Sequence, residues 1–327
     1  MIITRTPLRI SLGGGGTDLP HYYRESGYGY LIAAAITKYT YVAVNDNFDP
    51  DILLKYSKVE RAKSVDSIEH PILRECLNLV DIQGGIEVSS MADIPTGTGL
   101  GSSGAFTVGV LKALHMHKHK VPSNQELASL ACEIEINRLK EPVGKQDQYI
   151  SAIGGITAFR FHADESVEVC PLGLSIETRA EMEQNLLLFY TGHRRSASEV
   201  LLEERSRPST ASTSVRENLD SVRRIGEESA KALEKGDLLY FGSLLTEQWR
   251  LKYQRQPSDL HKQVDDWITS GCKAGALGGK LVGAGGGGFL LFYSDRKADL
   301  RSAMKQIGLS EVSFGIDYEG ATNLVVR

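Results

Sequence analysis

The stretch Pro95-Thr96-Gly97-Thr98-Gly99-Leu100-Gly101-Ser102-Ser103-Gly104-Ala105 limits what this chain can fold into more than any other. Four glycines fall within eight residues, two hydroxyls follow, and an apolar, helix-periodic segment runs on from Phe106 to Leu114. Glycines let backbone N–H groups close on a ligand, and the helix start behind them offers unpaired donors and positive dipole charge. Together they predict an anion cradle suited to a nucleotide's phosphates. Ser102 or Ser103 can cap the helix or reach a magnesium ion. Two familiar phosphate loops do not fit. A P-loop ends in Gly-Lys-Ser/Thr, and no lysine occurs here. The run Gly99-x-Gly101-x-x-Gly104 matches a dinucleotide fingerprint only in its letters. The strand expected over Gly85–Ser90 is separated from it by five residues, and no acidic residue stands at Val121–Asn124 downstream.

A chain of 327 residues suits two domains sharing a cleft, and a net charge of −4 gives no reason to expect nucleic acid or a membrane surface as partner. Cys76, Cys132, Cys170 and Cys272 are scattered without a Cys-x-x-Cys pair, which argues against structural zinc or a disulfide framework and for a reducing cytoplasm. The β-rich segment Ile2–Leu12 runs into Gly13-Gly14-Gly15-Gly16-Thr17-Asp18, a loop open to close backbone approach, and a short helix is expected from Thr17 to near Gly27. Asp18 either caps that helix or accepts hydrogen bonds from sugar hydroxyls. Strands are expected over Tyr30–Asn45, Ile52–Tyr56, Gly155–Arg160, Asn185–Tyr190 and Phe289–Tyr293, with a pair around Phe314 and Asn323–Val326. Ser123 and Glu126 form a capping box that opens a helix read to Lys140, and further helices are expected over His70–Leu79, Val215–Glu234, Asp237–Gln254, Asp259–Ala274 and Asp299–Ile307. The polar run Ser206–Ser214 reads as a mobile loop. Arg194 and Arg195, ahead of a helix start, either bind an anion or face solvent, and the same two options hold for Lys145.

Three stretches in order resemble the GHMP kinases, the superfamily of galactokinase, homoserine, mevalonate and phosphomevalonate kinases. Pro7-Leu8-Arg9-Ile10-Ser11-Leu12-Gly13 is similar to the first signature, Pro95 with Gly99–Ala105 to the second, and Lys280 with Gly283–Gly288 to the third. The resemblance implies an α+β pair of domains, a ribosomal protein S5-like domain over residues 1–166 and a ferredoxin-like domain over 167–327, with the active site between them. It implies ATP on Pro95, Gly97, Gly99, Leu100, Gly101, Ser102, Ser103 and Gly104, and Mg²⁺ on Ser103 and Glu135, since Glu135 stands twelve residues before Asp147. Asp147, in Gly144-Lys145-Gln146-Asp147-Gln148-Tyr149, takes the place of the catalytic aspartate, with Arg9 near the transferred phosphoryl group.

For the acceptor, the resemblance points to Gly15, Gly16, Thr17, Asp18, Gly285 and Gly286, joined by Arg194 or Arg195 where the substrate carries phosphate. Galactokinases continue the first signature with Gly-Glu-His-x-Asp, whereas glycines precede Thr17-Asp18 here, which argues against galactose. The combined motifs most resemble the D-glycero-D-manno-heptose 7-phosphate kinases. These phosphorylate the anomeric hydroxyl and give the 1,7-bisphosphate on the route to GDP-heptose for bacterial surface polysaccharides. An anomeric kinase for a free sugar such as fucose, and an inactive regulatory member of the fold, are the alternatives. The expected partners are therefore a small sugar phosphate and ATP, with the oligomeric state left open and a dimer among the options.

Overall fold

Arg9 and Ser11 alternate with Leu8, Ile10 and Leu12 along the first strand, and that alternation sets up the cleft. In the computed structural model, which describes residues 1–206 and 212–326, strand β1 (Ile2–Gly13) buries Leu8, Ile10 and Leu12 in a core shared with a second sheet. Arg9 and Ser11 then face the other way, towards the site, because successive side chains of a strand point to opposite faces. Helix α1 (Pro20–Ser26) follows, with Pro20 at its first turn and Gly27 at its end. The expected start at Thr17 moves to Pro20, whose fixed φ and missing N–H suit a first helical position. Next come β2 (Tyr28–Asp46), β3 (Ile52–Lys55), β4 (Val59–Ala62), α2 (Pro71–Val80) and β5 (Ile86–Ala92). The β1–β2 register shifts between Pro7 and Leu8, where proline has no N–H to give the ladder.

Helix α3 (Ser102–His117) is apolar on most sides and packs against β1 and β2. Helix α4 (Asn124–Cys132) begins with the expected capping box: Ser123 Oγ accepts from Glu126 N–H at 3.2 Å, and Glu126 returns the bond to Ser123 N–H at 2.7 Å. The single helix read to Lys140 is not what forms. Glu133–Arg138 is a π-helical turn, in which Leu139 N–H bonds Ile134 O and so takes in one extra residue. Helix α5 (Gln146–Ile153), β6 (Ile156–His162) and β7 (Val167–Pro171) follow, and β7 pairs with β6 in the first sheet.

The second sheet starts after α6 (Ile176–Asn185). It holds β8 (Leu186–Tyr190), then, beyond α7 (Ala197–Ser206), α8 (Ser212–Lys235), α9 (Leu238–Arg255) and α10 (Asp259–Lys273), strands β9 (Gly278–Leu281) and β10 (Phe289–Tyr293). Helix α11 (Lys297–Gln306) and β11 (Ser310–Glu311) complete it, and β12 (Thr322–Val326) returns to pair with β1. Its spatial order, β11-β8-β10-β9, is antiparallel throughout, the βαββαβ arrangement of ferredoxin-like domains.

Strand pairing corrects two expectations. The division at residue 167 falls inside the first sheet, because β7 hydrogen-bonds to β6 and β12 closes on β1. Phe314 lies in no strand; a bridge from Ile36 to Ile316 stands there instead. Most of the expected loop at Ser206–Ser214 lies outside the described residues. All four cysteines are free. No helix among the described residues is long and apolar enough to cross a membrane.

Candidate active site

The glycine loop wraps the start of α3. Gly97, Gly99 and Gly101 all take positive φ, and Gly101 is the residue from which the helix departs. The loop is pinned from the second domain: a Cβ on Gly283 would stand 2.6 Å from Gly99 Cα, so the two backbones touch. Arg195 N–H to Gly97 O at 3.0 Å completes the seam. Gly283 and Gly288 therefore pack against the glycine loop, Gly283 on Gly99 and Gly288 on Thr98.

Asp147 projects from the first turn of α5 towards this loop. Arg9 Nε donates to its Oδ1 at 2.7 Å, while Arg9 Nη1 donates to Gly99 O and Arg9 N–H to Leu100 O at 2.9 Å. Gln146 Nε2 adds a second donor to Asp147 Oδ1 at 3.1 Å. Arg9 is 4% exposed, so this ion pair is fixed from the arginine side while the aspartate keeps access to the cleft.

Two cavities meet at Arg9 and Asp147, which line both. One runs along the glycine loop past Thr96, Gly97, Gly99, Gly101, Ser102 and Ser103 to an apolar end at Ile72, Phe106 and Leu139. Glu135 opens into it from the π-helical turn. It is 2% exposed, accepts from Ser103 Oγ at 2.7 Å and Gln148 Nε2 at 3.1 Å, and pairs with no Lys or Arg among the described residues. Burial pushes its carboxyl up to about 7, against the opposing pull of those hydrogen bonds. Glu133 instead sits at the surface beside Asn137.

A carboxylate buried without a counter-charge, next to hydroxyl oxygens, fits a hard divalent cation. Ser102 Oγ, also buried, has no hydrogen-bond partner among the described residues. Those residues bring together no group of three or more His, Cys, Asp or Glu side chains for a metal, so a cation here would draw its remaining ligands from phosphate oxygens and water.

The other cavity is lined by Ser11, Gly15, Gly16, Asp18, Gly144 and Gln146, and by residues of α9 and β9. Asp18 accepts from Gln146 N–H at 3.1 Å and Gly16 N–H at 3.2 Å, and Leu19 rather than Asp18 is the helix cap. Burial raises the Asp18 carboxyl, the Gln146 N–H opposes that, and the charge of Asp147 adds to it.

The sequence matches the GHMP kinases N terminal domain over residues 68–155 and the GHMP kinases C terminal domain over residues 229–308. The chain belongs to the GHMP kinase family. This kinase is 27% identical, over 93% of both chains, to a D-glycero-alpha-D-manno-heptose 7-phosphate kinase of Campylobacter jejuni. It is 28% identical, over 91% of its own length and 35% of the relative's, to an L-fucokinase/L-fucose-1-P guanylyltransferase of Bacteroides fragilis. In fold it is similar to a crystal structure titled as a D-glycero-D-manno-heptose 1-phosphate kinase from Bacteroides thetaiotaomicron, with a TM-score of 0.81, 23% identity and both chains covered in full. These relatives make it a sugar kinase of GHMP type.

Several expected site residues of the kinase lie elsewhere than the motifs suggest. Thr17 does not line the cavity that contains Asp18: its Oγ1 lies 2.8 Å from both Gly14 O and Tyr30 O and accepts from Tyr30 N–H at 3.1 Å, holding the glycine turn to β2. Pro95 is exposed and Leu100 is fully buried in the core, so both shape the phosphate loop without lining the cavity. Gly104 is pressed under Asp147.

Arg194, Arg195, Gly285 and Gly286 line the glycine-loop cavity, not the one containing Asp18. Arg194 donates to Tyr190 Oη at 2.9 Å, and Arg195 forms an ion pair with Glu203. Lys145 neither faces solvent nor enters the site; it pairs with Glu165 at 2.7 Å. Lys252 and Arg255, and Lys280 of the third signature, take no site role from the sequence, and they are the other basic residues lining the cavity that contains Asp18.

Proposed function

We propose that this kinase transfers the γ-phosphoryl group of MgATP to the anomeric hydroxyl of D-glycero-D-manno-heptose 7-phosphate, giving the 1,7-bisphosphate. The observation that carries this reading is the pair of cavities meeting at Arg9 and Asp147, of which the one containing Asp18, the sugar side, bears Arg9, Lys252, Arg255 and the buried, partly ionised Lys280 against two carboxylates, Asp18 and Asp147. A neutral hexose gives such an excess of positive charge no partner, whereas a sugar phosphate does. The resemblance to the heptose 7-phosphate kinase over 93% of both chains supports the same substrate.

In this reading the N–H groups at the start of α3 and of the glycine loop hold the nucleotide's phosphates, and Ile72, Phe106 and Leu139 take the adenine. Ser103 and Glu135 would hold magnesium, which when bound neutralises charge on the phosphate oxygens. Asp18 and the Gly15–Gly16 backbone orient sugar hydroxyls. Asp147 accepts the proton of the attacking hydroxyl, and Arg9 keeps its carboxylate aimed while balancing charge on the passing phosphoryl group. Transfer of this kind needs chiefly alignment and charge neutralisation, which two preformed cavities sharing one ion pair provide.

The test is ATP turnover with Mg²⁺ against heptose 7-phosphate, free mannose, fucose and galactose, with the product located by ³¹P NMR. A new anomeric phosphate on heptose 7-phosphate alone is expected. Turnover only with fucose, the substrate class named for the B. fragilis relative, would keep the kinase and discard the heptose.

A further inference from the structure

On α9, Gln248, Lys252 and Arg255 fall at the spacing of one helix face, Gln256 caps the end of that helix, and all four line the sugar cavity. Gln248 and Gln256 are buried, so this polar stripe is not a solvated surface. It is also braced. Lys252 Nζ donates to Gly283 O, and Arg255 Nη1 donates to Asn218 Oδ1 of α8 at 2.8 Å. Gln248 accepts from Lys280 Nζ at 3.0 Å and donates through Nε2 to Leu12 O at 3.1 Å. Arg255 reaches the substrate loop as well, since a Cβ on Gly16 would lie 3.7 Å from its Nη2. On the facing strand, Ser11 Oγ is buried in the same cavity with no hydrogen-bond partner among the described residues.

We propose that Lys252 and Arg255 bind the phosphate that the acceptor sugar already carries. The assignment rests on the sugar-phosphate reading above and moves the anion subsite from Arg194 and Arg195 to α9. Neither Lys252 nor Arg255 lines the glycine-loop cavity, so the anion they meet is the acceptor's and not the nucleotide's. The other two cations are committed closer to the reaction: Arg9 to Asp147 and the loop, Lys280 to Gln248 deep in the floor. A phosphate on C7 is carried on the side arm that leaves the ring at C5, off the reacting C1 hydroxyl, and Lys252 and Arg255 are the cations that line this cavity away from the glycine loop. Lys252 also presses its charge on Lys280, whose ammonium is held down chiefly by burial and secondly by that neighbour. An anion between them relieves this repulsion.

The experiment compares wild type with Arg255→Gln and Lys252→Gln, using heptose 7-phosphate and ATP. Each variant is expected to raise KM for the sugar phosphate roughly 10- to 100-fold, the range for losing one charge-assisted hydrogen bond. KM for ATP should hold, which also reports that the variant is folded. Arg255→Lys should recover part of the loss, whereas a purely structural role for the guanidinium would show in KM for ATP and in melting temperature.

Heptose 7-phosphate KM within threefold of wild type in both glutamine variants overturns the subsite and leaves the heptose reading standing. A rise confined to Arg194→Gln or Arg195→Gln overturns it as well. Calorimetric binding of mannose 6-phosphate against mannose separates the two claims. Tighter binding of the phosphorylated hexose that is lost in Arg255→Gln supports the subsite even where heptose 7-phosphate is not turned over. Equal binding of the two hexoses to wild type counts against it.

Discussion

Gly104→Ala changes one hydrogen into a methyl group and tests how tightly Asp147 is positioned. A Cβ at residue 104 would lie 2.8 Å from Asp147 Cβ, 2.9 Å from Gln148 N and 3.0 Å from Asp147 C. Ordinary contacts of this kind begin near 3.4 Å, so the first turn of α5 has to retreat by about 0.6 Å from α3. The obstructing atoms are mostly backbone, and no rotamer change relieves them. Overpacking of this size costs roughly 1–3 kcal/mol, which for a chain of this length lowers Tm by about 2–10 °C. Activity should suffer more than stability. Displacing a catalytic carboxylate by a large part of an ångström costs on the order of 100-fold in kcat. The assay is steady-state turnover of heptose 7-phosphate beside a thermal melt, with nucleotide binding measured by calorimetry. The expected result is a kcat down about 100-fold with the nucleotide Kd within a few-fold of wild type. A Gly104→Ala enzyme with kcat within threefold of wild type would refute the claim that α3 sets the position of Asp147.

Lys280 and Glu135 give two further predictions. Burial lowers the Lys280 ammonium from its ordinary 10.5 to about 7 in the folded chain. Between those values the unfolded chain holds a proton that the native chain has shed, so this residue's contribution to stability is greatest above pH 10.5 and is lost as pH falls towards 7. Lys280→Met should therefore stabilise the protein at pH 7 by a few kcal/mol, with an advantage over wild type that shrinks by about 1.4 kcal/mol per pH unit from pH 7.5 to 9.5; denaturant titrations across that range measure it, and a pH-independent difference would contradict the assignment. Removing Mg²⁺ with EDTA should abolish turnover, and Glu135→Gln should raise the Mg²⁺ concentration for half-maximal rate at least tenfold while leaving sugar binding in place; an unchanged Mg²⁺ requirement would remove Glu135 from the cation site.

The parts of this site that were legible in the sequence are those built from backbone. Gly97–Gly104 and Gly283–Gly288 announce themselves because a run of glycines has few uses other than close approach, and the loops indeed touch each other. Asp18, Arg9 and Asp147 also come together as their motifs imply, two of them in a direct 2.7 Å ion pair. What could not be read depends on tertiary direction. The periodicity of Ser123–Lys140 is helical, and nothing in it reports the extra residue taken into the π-helical turn Glu133–Arg138. Arg194 and Arg195 precede a helix start, as an anion site would, yet the seam with Gly97 delivers them to the glycine-loop cavity. Thr17 reads as a sugar ligand, but a hydroxyl beside a glycine turn finds backbone carbonyls first. Lys252 and Arg255 went unnoticed because cations on a helix are usually solvated. The signal that could have found them is their phase: they continue the stripe from Gln248 to Gln256 beside the buried Trp249 rather than the outer face.

The central claim is that phosphoryl transfer runs between the two cavities at Asp147. Its most direct test is single-turnover and steady-state measurement of Asp147→Asn with MgATP and heptose 7-phosphate. A loss of about 100- to 10,000-fold in the transfer rate is expected, with ATP and sugar affinities within threefold of wild type. Transfer within tenfold of wild type in Asp147→Asn would contradict it, and the acceptor's proton would then have to leave by another group.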